Sequence, residues 1–216
     1  MILSEVHISG STVYKPHDFD PAYAGLVGTR ITLKEVYAIA QRITATYGRD
    51  GYVLSRAIVP PQQLNERAGS IQIKIVEGYI DRVEWPREKL SRYIDFFSTY
   101  EAKILADRPI NSRTLERYLL LANDFPGLRF TTSLKPSPNT PNASTLVVDV
   151  TAKPIDLEAR IDNRGTEARG PIQFWSSANV SNLFGAHEQI TFTWAGTEQL
   201  KELQYYAVSA KKVINA

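Results

Sequence analysis

One order of predicted elements occurs twice along this chain of 216 residues, with a spacing of about 75–80 residues. Each copy is predicted to contain a strand, two helical segments and two further strands, in that order. This period is longer than the repeat of a solenoid protein, and the total length suits two small domains plus an additional segment. The pattern therefore predicts two tandem α+β domains followed by a third region.

The first copy contains the most clearly marked helix of the chain. Its start carries a capping-box pattern, with Thr32 as the cap and Glu35 three residues later, and Gly48 is expected to end it. An apolar stripe recurs with helical spacing at Leu33, Val36, Tyr37, Ala40, Ile43 and Tyr47. A short strand over 2–8 precedes this helix, and the segment 20–27 indicates a shorter helix, a prediction that its glycines weaken.

Two strands are predicted to complete the first copy. The first covers 52–59 and is ended by Pro60 and Pro61, which cannot donate backbone hydrogen bonds. The second covers 71–77, where isoleucines alternate with polar residues, as in a strand with one buried face.

The second copy repeats the same order of elements. Its predicted elements are a strand over 79–85, helices over 90–106 and 112–123, and strands over 128–134 and 145–152. A cap at Asn111 or Ser112 marks the start of the second helix, and Phe125-Pro126-Gly127 predicts a turn after it.

Period-2 alternation replaces helical periodicity after Pro154. Apolar residues alternate with polar ones over 157–161, 172–180 and 190–194, and a last strand is predicted over 203–210. Such strands are typical of transmembrane β-barrels, although a soluble meander produces the same alternation. About four strands cannot close a barrel, which needs about eight, so this region is predicted to be incomplete.

Four aromatic residues of this third region allow two interpretations. They are Trp175, Trp194, Tyr205 and Tyr206. They could belong to an aromatic girdle at a membrane interface, or they could be strand residues that pack on their neighbours.

Composition argues against several classes of function. The 25 basic and 23 acidic side chains are interspersed, so the basic patch of a nucleic-acid-binding protein is missing. The chain has no cysteine, and its histidines, His7, His17 and His187, lack metal-ligand spacing, so neither a disulfide framework nor a metal site is predicted. Because the sequence has no nucleophile elbow and no phosphate-binding glycine loop, we expect neither enzymatic activity nor a cofactor. The start, Met1 to Ile8, lacks the pattern of a signal peptide, so an exported protein is expected to carry its targeting segment outside this chain.

Six short motifs follow one another along the chain. They are Ile58-Val59-Pro60-Pro61-Gln62-Gln63-Leu64, Val76-Glu77-Gly78-Tyr79-Ile80, the segment from Leu115 to Asn123-Asp124-Phe125-Pro126-Gly127, Leu134-Lys135-Pro136-Ser137, Asp162-Asn163-Arg164-Gly165-Thr166 and Asn182-Leu183-Phe184-Gly185. In order and spacing these motifs resemble the outer-membrane transporters of two-partner secretion, the TpsB class, which exports haemolysins and filamentous haemagglutinins. The resemblance covers essentially the whole chain.

This resemblance implies a fold, a location and a partner. The implied fold has two tandem POTRA domains, each β-α-α-β-β, over 1–78 and 79–153, followed by antiparallel strands of a truncated outer-membrane β-barrel over 154–216. The POTRA domains are then expected in the periplasm of a Gram-negative bacterium, and the barrel in contact with the lipid of its outer membrane. The implied partner is the TpsA-like secretion domain of a large exported β-helical protein. We expect a monomer that binds no nucleic acid.

Edge strands are the predicted sites of recognition in both copies. The strand that follows the helices is an edge if its hairpin partner is central, and an edge offers unpaired backbone groups to an extended guest chain. The predicted polypeptide-binding residues are Val53, Ser55 and Ala57 in the first domain, and Arg129, Thr131 and Ser133 in the second.

The sequence is also compatible with two other functions. A barrel-assembly factor of the same superfamily usually carries more repeats than the two visible here. A free-standing periplasmic adaptor would use the strands after Pro154 as a soluble cap, whereas barrel strands should make the chain aggregate or depend on detergent. Removal of 155–216 is expected to improve solubility only in the barrel case.

Overall fold

The computed structural model describes residues 1–63, 69–90, 94–168, 170–201 and 203–214. Over these residues the chain forms three β-sheets and three α-helices. The predicted α+β class, with two β-α-α-β-β copies and a separate antiparallel sheet, is confirmed, and in the first copy short 3-10 segments stand in place of the first helix. Leu64, the last residue of the proline-rich motif, lies outside the described residues.

The first copy forms a three-stranded sheet with one long helix. Its elements are β1 (Leu3–Ser9), 3-10 segments at Pro16–Ala22 and Ala24–Leu26, α1 (Leu33–Arg49), β2 (Arg56–Ile58) and β3 (Gly69–Val76). The strand order is β1-β3-β2, with β1 parallel and β2 antiparallel to β3. The central strand is therefore β3, and β2 lies at an edge, as predicted for the strand after the helices.

The start of α1 is built as the sequence predicts. The Glu35 N–H donates to the Thr32 hydroxyl (3.4 Å), and the Thr32 N–H donates to the Glu35 carboxylate (2.6 Å). The backbone hydrogen bond from Thr32, followed by that from its hydroxyl, lowers the pKa of Glu35. The predicted end at Gly48 is wrong, because the helix continues through Arg49 and the chain turns only at Gly51, whose φ is +94°.

The core of the first copy lies between α1, the first 3-10 segment and the sheet. In β3 the buried isoleucines alternate with exposed residues, as expected for a strand with one covered face. The fully buried members include Leu3, Phe19, Val36, Ile39, Ile43, Tyr47, Ile71 and Ile73. This packing fixes α1 over one face of the sheet and leaves its outer flank beside β2.

The strand predicted over 52–59 is much shorter than expected. Only Arg56–Ile58 pair with β3. The Ser55 N–H donates to the Tyr52 carbonyl (3.0 Å), which closes a turn, and the buried Ser55 hydroxyl accepts the Gly78 N–H (3.2 Å). Val53 and Ser55 therefore precede the strand, and their predicted place on an edge strand is wrong.

The second copy also forms a three-stranded sheet with helices. Its elements are β4 (Tyr79–Glu84), α2 (Ile94–Ala106), α3 (Ser112–Asn123), β5 (Leu128–Pro136) and β6 (Ala143–Ala152). The order is β4-β6-β5, with β4 parallel to β6, so β5 is an edge strand as predicted. At the start of α3, the Asn111 side-chain oxygen accepts the Arg113 N–H (3.0 Å), as an N-cap side chain does.

The third region is an antiparallel sheet of four strands within the described residues. They are β7 (Ile155–Asp162), β8 (Gln173–Ser181), β9 (Glu188–Thr197) and β10 (Gln204–Lys212), in the order β10-β9-β8-β7. The register places apolar residues side by side on one face, in the rows Ile155–Val180–Ile190–Ala210, Leu157–Ala178–Phe192–Val208 and Ala159–Ser176–Trp194–Tyr206. The opposite face carries polar rows such as Asp156–Asn179–Thr191–Ser209.

The same register separates the four aromatic residues of the predicted girdle. Trp194 and Tyr206 are cross-strand neighbours on the apolar face. Trp175 and Tyr205 lie in the row of Arg160, on the opposite face, and the Arg160 guanidinium lies 5.7 Å from the Trp175 ring centre. Only Trp194 and Tyr206 can therefore belong to a girdle on the apolar face.

The chain divides into two compact units. One consists of Met1–Glu84, Thr99–Tyr118 and Ser133–Val147, and the other of Trp85–Ser98, Leu119–Thr132 and Val148–Ala216. The domain boundaries expected at residues 78 and 153 stay a prediction. None of the described helices is long and apolar enough to cross a membrane.

Candidate functional site

The outer side of β5 is identified by two hydrogen bonds at its ends. The Phe130 N–H donates to the Asn123 side-chain oxygen (2.9 Å), whereas the Ser137 N–H, just past the strand, donates to the Ala143 carbonyl of β6 (3.0 Å). In an antiparallel pair the backbone groups of successive residues point alternately toward and away from the partner strand. The backbone groups of Phe130, Thr132 and Leu134 therefore point away from β6.

This alternation changes the predicted binding residues of the second copy. Arg129, Thr131 and Ser133 lie on the edge strand, as expected, but their N–H and C=O groups face β6. Their side chains are exposed. The outward backbone positions belong to the intervening residues, which the sequence prediction did not choose.

Asn123 closes the inner end of this edge. Its side-chain oxygen accepts the Phe130 N–H (2.9 Å), and its side-chain nitrogen reaches the Phe130 carbonyl (3.5 Å) as well as the Leu119 carbonyl (3.1 Å). One side-chain amide thus takes the place of a neighbouring strand at Phe130. Among the residues that the structure describes, no side chain bonds in this way to the outward N–H of Thr132 or Leu134.

The edge of the first copy is closed by a hydroxyl group. The Ala57 N–H donates to the Thr44 hydroxyl (2.9 Å), which in turn donates to the Ala40 carbonyl of the same helix (2.9 Å). Ala57 is the middle residue of the three-residue strand β2, so its N–H is the one that points away from β3. The predicted edge position at Ala57 is present, but its donor is already paired.

The proline-rich motif closes the next position along the same edge. Continuing the register of β2 and β3 past Ile58 would place Pro60 opposite Gln72, and proline has no N–H to donate. The Gln62 side-chain nitrogen instead donates to the Gln72 carbonyl (2.9 Å), and its oxygen accepts the Gln72 N–H (2.8 Å). Neither Gln62 nor Asn123 was predicted to have this role, since a single amide side chain in a loop or at a helix end carries no sequence signal for it.

A groove runs beside β2 along the outer flank of α1. One part, of about 350 Å³, is lined by Tyr37, Ala40, Gln41, Thr44, Ala57, Ile58 and Val59. A second part, of about 240 Å³, shares Tyr37 and Val59 and extends to Leu33, Pro60, Pro61 and Gln62. Leu33 and Tyr37 are about half exposed, at 56% and 51%. The groove is therefore an accessible and largely apolar surface.

The Val-Glu-Gly motif fastens the end of the first copy. The Glu77 carboxylate accepts the Thr12 N–H (2.8 Å), the Thr12 hydroxyl (2.6 Å) and the hydroxyl of the buried Tyr47 (2.8 Å). Partial burial raises the pKa of Glu77, but these hydrogen bonds outweigh it and hold the pKa below its ordinary value. At Gly78 an added Cβ would lie 2.4 Å from the Leu54 carbonyl oxygen, so only glycine fits.

The Leu-Lys-Pro-Ser motif fastens the outer end of β5. The Ser137 hydroxyl donates to the Asp81 carboxylate of β4, which also accepts the Thr145 hydroxyl (3.3 Å). The bond from Ser137 is the main reason that the pKa of Asp81 is lowered. Both ends of the β5 edge are thus held by side chains from sequence motifs.

Two helical segments packed on a three-stranded sheet with an accessible edge define a small α+β domain class, and the first copy also matches a known domain family in sequence. Residues 1–78 match the family described as POTRA domain, ShlB-type. The match covers the first copy alone, which is similar to a POTRA domain of that type.

Most of the chain is similar in sequence to outer-membrane transporters. It is 23% identical over 175 residues to the heme/hemopexin transporter protein HuxB of Haemophilus influenzae, covering 80% of this chain and 30% of that protein. It is 26% identical over 190 residues to the outer membrane transporter CdiB of Dickeya dadantii, covering 87% of this chain and 32% of the relative. The predicted resemblance to two-partner secretion transporters is confirmed, and these relatives are named as transporters rather than as enzymes.

A solved structure shows the same fold. CdiB from Escherichia coli superimposes with a TM-score of 0.69 at 18% sequence identity, covering 98% of this chain and 39% of that one. At this identity the likeness concerns the fold alone. The chain spans about a third of the length of the curated relatives it matches.

Proposed function

We propose that this chain is the periplasmic recognition part of an outer-membrane protein transporter. It binds the secretion domain of a large exported β-helical protein, of haemolysin or adhesin type, and passes it to a barrel. The observation that carries this proposal is the β5 edge, where the backbone groups of Thr132 and Leu134 point away from β6. An extended guest that pairs there adds a fourth strand to the sheet.

Backbone pairing suits a guest that arrives unfolded. Main-chain hydrogen bonds supply affinity without requiring one guest sequence, and pockets for alternate side chains supply selectivity. In the first copy the backbone edge is closed by Thr44 and Gln62, so recognition there relies on the apolar groove along α1. The second copy then recognises the backbone of the guest, and the first copy recognises its apolar side chains.

The third sheet supports the outer-membrane part of the proposal. Its apolar face contains no charged residue in the three rows from Ile155 to Tyr206, and its other face is polar. Strands of an outer-membrane barrel alternate in this way, with the apolar side toward lipid. Trp194 and Tyr206 are the adjacent aromatic pair on this apolar face.

Direct titration tests the recognition function. The neighbouring genes are first searched for a large repeat-rich β-helical protein, and the purified chain is then titrated with the secretion domain of that protein and, as the control, with the secretion domain of an unrelated system. We expect clearly tighter binding of the cognate domain. Equal binding of both domains, or binding of neither, would contradict the proposal.

A further inference from the structure

The turn between β8 and β9 exposes two large apolar side chains. Leu183 is 61% exposed and Phe184 is 74% exposed. Both belong to the Asn182-Leu183-Phe184-Gly185 motif, to which the recognition function assigns no role. Adjacent exposed side chains of this size at a turn suggest a surface that contacts something apolar.

The conformation of this turn is fixed by hydrogen bonds. The largely buried Glu188 carboxylate accepts the Phe184 N–H (2.5 Å) and the Ala186 N–H (2.8 Å), and the Asn182 N–H donates to the Glu188 carbonyl (2.7 Å). Asn182 and His187 have φ values of 57° and 60°, which are uncommon for residues other than glycine. The turn therefore holds its two apolar side chains in solvent rather than folding them onto the sheet.

His187 attaches the turn to the aromatic residues of its own compact unit. Its ring centre lies 5.0 Å from that of Phe125 and 5.8 Å from that of Phe96. The Val213 N–H, just past β10, donates to the His187 carbonyl (3.1 Å). The turn is thus joined both to these rings and to the end of β10.

The turn lies at one end of the apolar face of the sheet. The last apolar row before it is Ile155–Val180–Ile190–Ala210. Two residues beyond Ala210 on β10, Lys212 is exposed, lies on the side of this row and stands opposite Glu188, whereas Lys211 stands opposite Gln189 on the polar face. The two apolar side chains of the turn and the cation of Lys212 therefore lie at the end of the sheet where the apolar face stops.

This combination fits the boundary between lipid and water. Leucine and phenylalanine partition into the region between headgroups and acyl chains, and lysine extends its charge toward phosphate while its stem stays on apolar surface. Anionic phospholipid attracts each such lysine further. A cation at the border of a face that is apolar over three successive rows favours a lipid surface over a protein partner.

We propose that Leu183 and Phe184, together with Lys212, form a contact with the headgroup region of an anionic phospholipid membrane. The contact fixes the height at which the sheet meets the bilayer. This inference rests on the proposed outer-membrane position of the sheet, and it adds a specific surface and ligand class to it.

Vesicle binding by the 216-residue chain tests the contact. The probe is vesicles of phosphatidylethanolamine and phosphatidylglycerol, with vesicles of phosphatidylcholine as the uncharged comparison. We expect Leu183→Ser/Phe184→Ser to lower the partition coefficient at least about tenfold, because two large apolar side chains no longer enter the interface. Lys212→Gln should lower it about fivefold on the anionic vesicles only. Leu120→Ser, at a 66% exposed leucine of α3, is the matched control and should change nothing.

A fluorescent label gives a second measurement that does not depend on the affinity. Because the chain has no cysteine, a single cysteine can be labelled specifically. An environment-sensitive dye at Leu183→Cys should shift to shorter wavelength on adding vesicles, whereas the same dye at Lys34→Cys on α1 should not. Circular dichroism of each variant verifies that it is folded.

The outcomes separate this inference from the proposed function. If the wild type binds vesicles but the turn variant binds equally well and the dye at residue 183 does not respond, the turn contact is wrong and the lipid-facing sheet stands. If the wild type does not bind vesicles, both membrane assignments are wrong, while recognition of the guest is judged by its own titration. Loss of self-association rather than of vesicle binding in the turn variant would identify a second copy as the partner and overturn the lipid assignment.

Discussion

The two copies share one topology but differ in what their edge strands offer. In the first copy β2 has three residues, and its outward N–H, at Ala57, is bonded to Thr44. In the second copy β5 has nine residues, and within the part of the chain that the structure describes its outward side is covered only at the inner end, where Asn123 bonds to Phe130. The same fold therefore presents a closed edge in one copy and an open edge in the other.

Proline placement explains this difference. Pro60 lies two residues after the end of β2, at the position where the next N–H would donate to β3, and proline has no N–H. The strand therefore ends, and the Gln62 side chain bonds to the backbone of Gln72 instead. In the second copy no proline interrupts the strand before Pro136. The position of one residue type thus determines whether a sheet edge remains long enough to accept a guest strand.

The largest effect is expected from removing the outward donors of β5. Thr132→Pro/Leu134→Pro deletes two N–H groups that do not pair with β6, and an edge strand tolerates proline at such positions. Losing two hydrogen bonds of about 1–1.5 kcal/mol each should weaken binding of the secretion domain about a hundredfold. Isothermal titration calorimetry measures the change.

The matched variant in the first copy should behave differently. Ala57→Pro removes an N–H that is already bonded to Thr44, so binding of the secretion domain should change little. Equal losses in both variants, with both proteins folded, would contradict the contrast between the two edges.

Much of the fold could be predicted from the sequence because it depends on local signals. The Thr32 and Glu35 pair marks the start of α1, and the alternating isoleucines of β3 identify its buried face. The length of β2 could not be predicted, because Tyr52 and Val53 are residue types that favour a strand, whereas residues 52–55 form a turn in which the Ser55 N–H donates to the Tyr52 carbonyl and the Ser55 hydroxyl accepts the Gly78 N–H.

The candidate site was predicted less completely than the fold. An edge after the helices follows from the element order, but the side of the strand that faces outward depends on the register, which alternation alone does not give. Arg129, Thr131 and Ser133 were therefore one position away from the outward residues. Asn123 was recognised as part of a helix end, and its contact with Phe130 became visible only once the strand was placed beside it.

The second prediction compares the two side-chain amides that close the edges. Asn123→Leu removes both bonds to Phe130 in a partly buried position, and should lower the free energy of unfolding by about 2 kcal/mol. Gln62→Leu removes the pair to Gln72 in a more exposed position, and should cost about 1 kcal/mol. Urea denaturation measures both, and a larger loss for Gln62→Leu would show that the first edge depends more on its amide than we infer.

A third prediction concerns the hydroxyl that closes β2. Thr44→Val keeps the shape of the side chain but leaves the Ala57 N–H without its acceptor, so stability should fall by about 1 kcal/mol. Binding of the secretion domain should rise at most about fivefold, because one new outward donor becomes available. The control is Thr46→Val on the same helix, because the Thr46 hydroxyl bonds to Arg42 and Arg49, which both belong to α1. If Thr46→Val changes stability and binding of the secretion domain as much as Thr44→Val does, the inference that Thr44 closes the edge of β2 is wrong.

The smallest effect should come from the two carboxylates that fasten the copies. The pKa values of Glu77 and Asp81 are lowered in the folded protein, so each contributes stability above its unfolded pKa and loses it as the pH falls through the folded value. Thermal unfolding between pH 7 and pH 3 should show this loss reduced in Glu77→Gln and in Asp81→Asn, each by less than about 1 kcal/mol because both groups are largely solvated. An unchanged pH dependence in both variants would show that other groups are responsible.

Amide hydrogen exchange of the chain with and without the bound secretion domain tests the central claim most directly. The outward N–H groups of Thr132 and Leu134 should exchange rapidly in the unbound chain and become strongly protected in the complex, while the Ala57 N–H stays equally protected in both. Protection that appears at Ala57, with none gained at Thr132 and Leu134, would contradict guest pairing at the open edge of β5.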